Sequence, residues 1–387
     1  MTYTYSNKIA ALAPSAIREI LKATSQPGVI PFAAGNPAPE AFPVEAVREI
    51  SERLLRDRPI DCLQYGITEG YAPLREGVRN RLGQKMVHAF DEVIITSGAQ
   101  QVMDLAAKAL CNEGDVVITE SPSFIGSLNT FRSYGVKLRG VPLQADGMDT
   151  ERLEELLKTE KNVRFIYTIP NFQNPSGVTM SLEKRRRIYD LAKQYGVLVL
   201  EDNPYGDLRY DGEAGLPNIK EFDEDGIVMY AGSFSKILAP GLRVGFSLAP
   251  AELTAKMTVG KQASDVHTPI FNQMIVDEWM RGYDVDAHIA HIRAVYRAKR
   301  DTMCAGLAET PLRFATPAGG LFIWCELPDN VDMMDFARLA VNNKVAVVPG
   351  SAFLAEAGEQ VNAIRVNFST PTDEQLAQGL EILKKLF

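Results

Sequence analysis

The chain has 387 residues and a formal net charge of −8; 46% of its residues are hydrophobic and 23% are charged. This length exceeds one ordinary hydrophobic core, so two domains are expected. The acidic balance, without a basic stripe, argues against nucleic-acid binding, and no apolar run approaches the roughly 18 residues of a membrane span. The first residues lack the pattern of a signal peptide, and four separated cysteines predict neither disulfides nor a zinc site. These features predict a cytoplasmic protein.

The N-terminal segment, residues 1–44, contains the proline- and glycine-rich stretch "PGVIPFAAGNPAPEAFP". Prolines interrupt the backbone hydrogen bonding that a sheet needs, and glycines favour turns. We therefore expect an arm and an active-site loop that pack with a smaller domain, rather than strands of a sheet core.

From about residue 92, short apolar runs alternate with longer stretches of helical periodicity. Seven strands are predicted from the runs "EVIITSG", "DVVITE", "KLRGVPL", "VRFIYTIP", "VLVLED", "IVMYAGSFSK" and "LRVGFSLAP". Runs such as "VLVL" are apolar throughout, as in strands that are covered on both faces. The alternation predicts an α/β fold with a mostly parallel seven-stranded sheet between layers of helices.

Beyond residue 250 the pattern changes to long helices, predicted over 251–263, 268–281 and 286–308. Shorter strand and helix segments follow, including "LFIWCEL", "VAVVPG" and "IRVNFS", with a last helix from Asp373. We expect a large domain over 45–280 and a smaller α+β domain over 281–387.

Several common chemistries lack their motifs in this chain. There is no G-x-G-x-x-G dinucleotide fingerprint, no P-loop and no G-x-S-x-G nucleophile elbow. His288 and His291 lie three residues apart on a predicted helix but have no third ligand nearby, so no metal site is predicted.

Two motifs instead predict a site for a bound phosphate. "TSGAQQ" lies where a strand turns into a helix, so the N–H groups of Gly98, Ala99 and Gln100 can face an anion. "SFSK" supplies the hydroxyls of Ser233 and Ser235, and Arg243 can add a charged, bidentate contact.

Two further residues extend this phosphate site toward a cofactor. Lys236 ends "SFSK" in a short polar loop, and Asp202 in "EDNPY" ends the strand "VLVL", at the sheet edge where α/β proteins bind ligands. Pyridoxal phosphate needs a lysine to form a Schiff base with its aldehyde and an acid to keep its ring nitrogen protonated. The residues together predict a pyridoxal-phosphate site.

With these residues in place, the sequence resembles the fold type I, class I/II aminotransferases that depend on pyridoxal phosphate. It is most similar to the branch that contains 2-aminoadipate/kynurenine aminotransferases and the aminotransferase-like domains of MocR-type regulators. The resemblance extends from about Ile17 to the final helix. It is carried by "PSAIR", "GNPAPEAFP", "LQYG", "TSGAQQ", "PNFQNPSG", "EDNPY", "SFSK" with Arg243, and "IRVNFS". It implies the fold of aspartate aminotransferase.

The resemblance implies a role for each cofactor-binding residue. Lys236 would hold the cofactor and shuttle a proton, while Asp202 would pair with the ring nitrogen. Asn174 and Tyr205 would bind the phenolic oxygen, and Phe124 would stack on the ring in place of the tyrosine that many relatives have. The implied phosphate ligands are Ala99, Gln100, Ser233, Ser235 and Arg243.

The resemblance also implies a substrate site and a partner subunit. Arg365 would bind the substrate α-carboxylate beside Asn174 and the backbone of Gly35. Tyr65 would complete the phosphate site of a neighbouring subunit, which implies a homodimer. Arg18, on an N-terminal helix, would meet a distal carboxylate of the substrate.

The function so implied is transfer of an amino group between an L-amino acid and a 2-oxo acid, with glutamate and 2-oxoglutarate as the expected pair and a ping-pong mechanism. A β-lyase or a decarboxylase on the same cofactor scaffold is the alternative. An effector-sensing domain is less favoured, because the family match begins within the first twenty residues and leaves no room for a winged helix. The physiological amino acid stays open at this point.

Overall fold

The computed structural model describes residues 3–10, 12, 27–212 and 215–387. The strands of its large sheet are β1 Asp91–Thr96, β2 Val116–Ser121, β3 Lys137–Gln144, β4 Gly147–Met148, β5 Val163–Thr168, β6 Leu198–Asp202, β7 Val228–Ser233 and β8 Gly245–Pro250. Seven of these are the strands predicted from the apolar runs. The two-residue strand β4 pairs only with β3 and had no such run to reveal it.

The strand order in this sheet is β1-β8-β7-β6-β5-β2-β3-β4. Strands β3, β2, β5, β6 and β7 run parallel to their neighbours in that series, while β8 is antiparallel to both β7 and β1. Every residue of β2 is buried, and so are all but the first one or two residues of β5 and β6. Burial on both faces explains the continuous apolar runs and confirms the mostly parallel α/β sheet.

Helices cover this sheet and continue into the rest of the chain. They are α1 Asn7–Ala10, α2 Val44–Asp57, α3 Pro59–Leu63, α4 Ala72–Leu82, α5 Ala99–Leu110, α6 Ile125–Ser133, α7 Thr150–Thr159, α8 Leu182–Tyr195, α9 Ala251–Gln262, α10 Ile270–Gly282, α11 Val285–Leu307, α12 Met333–Asn342 and α13 Asp373–Lys384. The three long helices predicted beyond residue 250 correspond to α9, α10 and α11, with ends within two residues of the prediction. In the part of the chain that the structure covers, no helix is long and apolar enough to cross a bilayer.

Helix α5 is placed by its apolar face. Val102, Met103, Leu105, Ala106 and Ala107 are buried, and the helix packs on β7 and β8 between α6 and α9. Because α5 follows β1 directly, its first turn lies at the edge of the sheet where β1 ends. The N-terminus of the helix is therefore fixed at the sheet edge where an α/β ligand is expected.

A second sheet lies in the C-terminal part of the chain, with all its strands antiparallel. Its order is β11-β12-β10-β9, formed by β11 Val348–Pro349, β12 Ala363–Asn367, β10 Phe322–Glu326 and β9 Arg313–Phe314. Helix α13 packs against the long helix α11. This is the smaller α+β unit that the sequence predicts, although "VAVVPG" provides only the two residues of β11.

The N-terminal segment packs closely against this smaller unit. Ile30 forms a parallel bridge with Val345, and the side chain of Phe32 is fully buried. The amide of Asn367 in β12 donates to the carbonyl of Phe32 at 2.8 Å. The bridge lies outside the named strands, since Val345 precedes β11, so the segment packs beside the smaller sheet without adding a strand to it. Arg18 lies outside the described residues.

Candidate active site

The candidate site lies at the carboxyl edge of the large sheet. The parallel strands β5, β6 and β7 lie in register, with Thr168 opposite Glu201 and Asp202 opposite Ala231. The ends of these strands and the loops that follow them therefore lie side by side; Asp202 ends β6, and the loops after β5 and β7 carry Asn174 and Lys236. Three residues that are far apart in the sequence are brought to one edge by the parallel order of the strands.

Lys236 follows β7 in a loop anchored by the buried side chains of Phe234, Ile237 and Leu238. Its ammonium donates a 2.7 Å hydrogen bond to the carbonyl of Gly35. Burial, together with the positive charges of Arg365 and Arg243, lowers the pKa of Lys236 to about 8. With this pKa roughly a tenth of the amine is uncharged at pH 7 and about half at pH 8, a far larger fraction than for an ordinary lysine, and the uncharged amine is the nucleophile.

Asp202 ends β6 with a buried carboxylate. Its Oδ2 accepts a 2.8 Å hydrogen bond from the hydroxyl of Tyr167, whereas its Oδ1 is buried with no hydrogen-bond partner among the described residues. Burial raises the pKa of Asp202 to about 7, and the nearby charge of Glu120 acts in the same direction. A buried carboxylate oxygen without a partner is costly, and a cationic N–H group of a ligand would satisfy it.

The turn at Ser97 and Gly98 opens helix α5 as a candidate phosphate cradle. Gly98 has φ = +82°, and among the described residues no side chain caps the first N–H groups of the helix. A Cβ atom on Gly98 would lie 2.2 Å from the Arg243 guanidinium, so a side chain there would displace that arginine, and the positive φ itself favours glycine. The side chain of Gln100 bonds Gly126 and Thr130, which leaves its backbone N–H as the group that can meet an anion.

Arg243 and the two serines lie around this turn. The Arg243 side chain donates to the carbonyl of Ser97 at 2.9 Å. The hydroxyl of Ser233 donates to that of Ser235 at 2.9 Å and accepts the Ser235 N–H at 3.1 Å. Hydroxyls, helix N–H groups and a guanidinium are the donors that bind phosphate in other proteins.

Arg365 on β12 brings a second buried cation to the site from the smaller sheet. Its guanidinium donates to the carbonyl of Ala33 at 2.7 Å and to the side-chain oxygen of Asn174 at 2.9 Å. The rings of Phe322 and Phe353 lie 4.2 and 5.0 Å from its central carbon. Burial lowers the pKa of Arg365 to about 10, and its Nε has no hydrogen-bond partner among the described residues. A carboxylate ligand would supply the missing charge and acceptor.

Tyr205 and Asn174 lie between Asp202 on the large sheet and Arg365 on the smaller sheet. The Tyr205 ring packs edge-on against Phe322 with centroids 5.9 Å apart, and burial raises the pKa of its hydroxyl. Gly35 lies against the same phenylalanine, because a Cβ atom there would be 3.2 Å from the Phe322 ring. The loop of Gly35, the smaller sheet and the large sheet therefore meet around Phe322.

Phe124 is half-buried near the phosphate turn, whereas Tyr65 lies on the surface of the chain. Phe124 precedes α6, is half-buried and packs closely on Gly126, where an added Cβ would lie 2.6 Å from its ring. Tyr65 is 81% exposed and contacts the edge of the His267 ring with centroids 5.8 Å apart. Phe124 is thus near the phosphate turn, whereas the Tyr65 side chain faces outward from this chain.

Pyridoxal phosphate fits the polar groups of this site. A phosphate matches the uncapped start of α5, a pyridinium N–H matches the unpaired oxygen of Asp202, and an aldehyde matches the amine of Lys236. Sequence reasoning did not identify Tyr167 on β5, next to β6, or Glu120 on β2, one strand further away. Their only signal was their position in predicted strands near β6.

A separate cavity of about 630 Å³ touches the outer side of Ser233. Its lining includes Lys85, Asn171, Asn203 and Arg209, but not Lys236, Asp202 or Arg365. The candidate active site is therefore defined by its converging polar groups and not by this cavity.

Comparison with known proteins identifies the family. Residues 27–383 match the family model "Aminotransferase class I and II". The aromatic-amino-acid aminotransferase 1 of Thermococcus litoralis is 39% identical over 98% of this chain and 93% of its own length.

Two solved structures share the fold over 99% of this chain. A kynurenine aminotransferase from Pyrococcus horikoshii, in complex with PMP, has a TM-score of 0.94, 37% identity and 96% coverage of its own chain. An alpha-aminoadipate aminotransferase from Thermus thermophilus, complexed with N-(5'-phosphopyridoxyl)-L-leucine, has a TM-score of 0.90, 38% identity and 96% coverage. The chain therefore belongs to the class I and II aminotransferases of fold type I, and it is a transaminase that depends on pyridoxal phosphate.

Proposed function

We propose that this aminotransferase exchanges an amino group between an L-amino acid and a 2-oxo acid by a ping-pong mechanism, with glutamate and 2-oxoglutarate as one pair. One observation carries the proposal. Lys236 donates to the carbonyl of Gly35, and Arg365 donates to the carbonyl of Ala33, two residues earlier. The amine of Lys236 and the guanidinium of Arg365 thus both bond the segment 33–35. They therefore lie close enough to serve the α-carbon and the carboxylate of the same α-amino acid.

Lys236 is the proposed acid–base group. Its pKa of about 8 lets it both accept a proton from the substrate α-carbon and return it at neutral pH. Burial by the loop of Gly35 keeps water from competing for that proton. When bound, pyridoxal phosphate supplies the electron sink for this proton transfer.

The other residues hold the two ligands in our proposal. Asp202 binds the ring nitrogen, Asn174 and Tyr205 the phenolic oxygen, and Arg365 the substrate α-carboxylate, with Asn174 and the Gly35 backbone beside it. Support comes from the unpaired Oδ1 of Asp202 and the unpaired Nε of Arg365 within the described ranges. Phe124 is the proposed stacking partner of the ring. The proposed phosphate ligands are Ala99, Gln100, Ser233, Ser235 and Arg243.

The proposed assembly is a homodimer in which Tyr65 reaches the phosphate of the neighbouring subunit. The stretch 60–67 supports it, because Ile60, Leu63, Tyr65 and Ile67 are all more than half exposed. Such an apolar surface is typical of a subunit interface. A fully active species that elutes with the mass of one chain would contradict the dimer.

Arg18 is proposed to meet the distal carboxylate of acidic substrates. Arg18→Ala should then lower kcat/KM for glutamate and 2-oxoglutarate more than for apolar substrates. An equal loss for both classes would rule out that role.

The domain limits of 1–44, 45–280 and 281–387 and the cytoplasmic location stay predictions.

The half-reaction tests the proposed function directly. The absorption spectrum of the purified holoenzyme is recorded before and after adding L-glutamate, and again after adding 2-oxoglutarate. We expect the lysine-bound cofactor band to give way to the shorter-wavelength band of the amine form, and to return with the 2-oxo acid. An unchanged spectrum, or release of pyruvate and ammonia from cysteine-like substrates, would favour a different substrate pair or a β-lyase.

A further inference from the structure

Lys261, near the end of α9, is a fully buried lysine that the proposed chemistry does not use. Its ammonium donates to Gln101 Oε1 at 2.7 Å and to Thr268 Oγ1 at 3.0 Å. It also bonds both carboxylate oxygens of Asp265, at 3.0 and 2.9 Å. A buried cation with this many acceptors is held in one position, and it holds its partners in turn.

The partners of Lys261 converge on one residue, Ser97. Gln101 Oε1, which accepts from Lys261, also accepts the Ser97 N–H at 2.8 Å. Asp265 accepts the Ser97 hydroxyl at 3.0 Å and the Gln101 side-chain amide at 2.8 Å. The amide and the hydroxyl of Ser97 are therefore both tied to acceptors that Lys261 orients.

Ser97 is the residue before Gly98, whose left-handed backbone opens α5. Its carbonyl accepts from the Arg243 guanidinium at 2.9 Å. Both the helix start and Arg243 belong to the proposed phosphate cradle, so a shift of Ser97 would move both. The amide, hydroxyl and carbonyl of this one residue thus link the buried lysine to the cradle.

The charge of Lys261 matters as well as its hydrogen bonds. Asp265 is an acidic side chain that lies close to the turn through its contact with Ser97. Without the ammonium, its negative charge would be uncompensated beside a site that binds an anion. Removal of Lys261 should therefore both loosen the turn and oppose phosphate binding.

We propose that Lys261 is a positioning residue for the cofactor phosphate, acting through Gln101 and Asp265 on the Ser97–Gly98 turn. The inference rests on the proposed role of this turn in binding phosphate. It concerns a residue whose ammonium bonds Gln101, Asp265 and Thr268 and none of the proposed phosphate ligands, and that carried no motif in the sequence.

A matched variant separates positioning from general stability. Lys220 is also fully buried and pairs with two carboxylates, Asp91 and Asp223, each at 2.8 Å. It bonds the carbonyl of Val228 at the start of β7, so it lies at the opposite edge of the sheet from the phosphate turn. Lys220→Met therefore removes a buried charge of the same kind without touching Ser97.

The experiment titrates the apoenzyme of each variant with pyridoxal phosphate and follows binding by the absorption spectrum. We expect Lys261→Met to raise the cofactor Kd by about tenfold or more, as the loss of one or two hydrogen bonds to a charged group predicts. At saturating cofactor, kcat should stay close to that of the parent enzyme. Lys220→Met should lower Tm but leave the cofactor Kd within about threefold.

The outcomes separate this inference from the proposed function. Equal Kd values for Lys261→Met and the parent enzyme, or equal increases in both lysine variants, would overturn it. If Lys261→Met does not fold, Ser97→Ala removes one link of the chain, and an unchanged cofactor Kd in that variant would overturn the inference. A parent enzyme that binds no pyridoxal phosphate would instead overturn the proposed role of the turn itself.

Discussion

At the scale of single residues, the chemistry of Lys236 depends on its surroundings. An ordinary lysine has a pKa of about 10.4, whereas burial and the positive charges of Arg365 and Arg243 lower that of Lys236 to about 8. The amine is therefore largely unprotonated at a pH where surface lysines are charged. The same two arginines that are proposed to bind anions also activate the nucleophile.

This lowered pKa predicts the labelling behaviour of the apoenzyme. Acetylation of Lys236 in trace-labelling experiments should rise with pH and reach half its maximum near pH 8. Arg365→Met should move that midpoint to higher pH, because it removes one of the charges that disfavour the ammonium. If the midpoint in the parent apoenzyme lies near that of an ordinary lysine, burial and the two arginines do not lower the pKa of Lys236 as described.

Asp202 offers a second prediction at the same scale. Asp202→Asn should lower kcat/KM by on the order of 100-fold, because loss of one partner of a buried charge pair costs about 3 kcal/mol. Tyr167→Phe is the control, since it removes only the hydrogen bond to Oδ2 and should cost about tenfold or less. Similar losses in the two variants, measured by steady-state kinetics, would mean that the charge of Asp202 is not what matters.

The sequence could predict residues that carry a motif, but not those that act through tertiary contacts. Lys236 and Asp202 stand out because a short loop or a strand end isolates them from the surrounding apolar runs. Tyr167 lies within a strand and bonds Asp202, 35 residues away; Lys261 lies within a helix and, besides its local partners Asp265 and Thr268, bonds Gln101, 160 residues away. No local pattern reveals such a partner, so these roles had to come from the structure.

At the scale of elements, the strand-to-helix turn at Gly98 is closely packed against Arg243. Gly98→Ala would place a Cβ 2.2 Å from the Arg243 guanidinium at φ = +82°. We expect lower Tm and a higher cofactor Kd, because Arg243 must move away from the turn. Differential scanning fluorimetry and cofactor titration measure the two effects.

Gly114→Ala is the matched control for this substitution. Gly114 has a similar φ of +88°, but no atom of the described part of the chain lies within 4 Å of an added Cβ. Both variants should lose about 1–3 kcal/mol through backbone strain, whereas only Gly98→Ala should weaken cofactor binding. Equal cofactor Kd values in the two variants would contradict the close packing of Gly98 and Arg243.

Other elements show what the sequence can and cannot specify. Strands such as β2, β5 and β6 were visible because burial on both faces makes their residues largely apolar, whereas β3, in which only Leu138 and Val141 are buried, was predicted from its place in the alternation. The antiparallel direction of β8 was not visible, since a buried run reads the same in either direction. Helix α2 buries Ile50 and Leu54, four residues apart on one face, but no helix was predicted there because the alternation of strands and helices begins only near residue 92.

At the scale of the whole molecule, buried carboxylates couple stability to pH and to the cofactor. Burial raises the pKa of Asp202 to about 7, well above its ordinary value. The folded apoenzyme therefore holds this proton more tightly than the unfolded chain does. The stability that the protonated Asp202 carboxyl contributes to the folded apoenzyme is fully present below about pH 4. It is lost as the pH rises toward 7 and above.

Asp202→Asn tests this coupling. In the apoenzyme, the Tm of the variant relative to the parent should increase between pH 5 and pH 8, because only the parent must bury a charge at high pH. This increase in relative Tm should correspond to a few kcal/mol of unfolding free energy, and each kcal/mol shifts Tm by about 2–4 °C. With pyridoxal phosphate bound, the difference should reverse, since the parent then gains a charged partner for Asp202.

The control for this comparison is Asp286→Asn, which removes a carboxylate that is 90% exposed. A relative Tm of the Asp202→Asn apoenzyme that stays constant from pH 5 to pH 8 would contradict the burial argument. A stabilising effect of the variant in the holoenzyme would contradict the proposed pairing of Asp202 with the cofactor ring.

The central claim is that Lys236 carries the cofactor, and one measurement tests it most directly. The holoenzyme is reduced with borohydride to make any lysine–cofactor bond permanent, digested and mapped by mass spectrometry. We expect the phosphopyridoxyl group on the peptide that contains Lys236, and on no other lysine in a stoichiometric amount. Stoichiometric modification of a different lysine, or a fully unmodified Lys236 peptide, would contradict the account of this site.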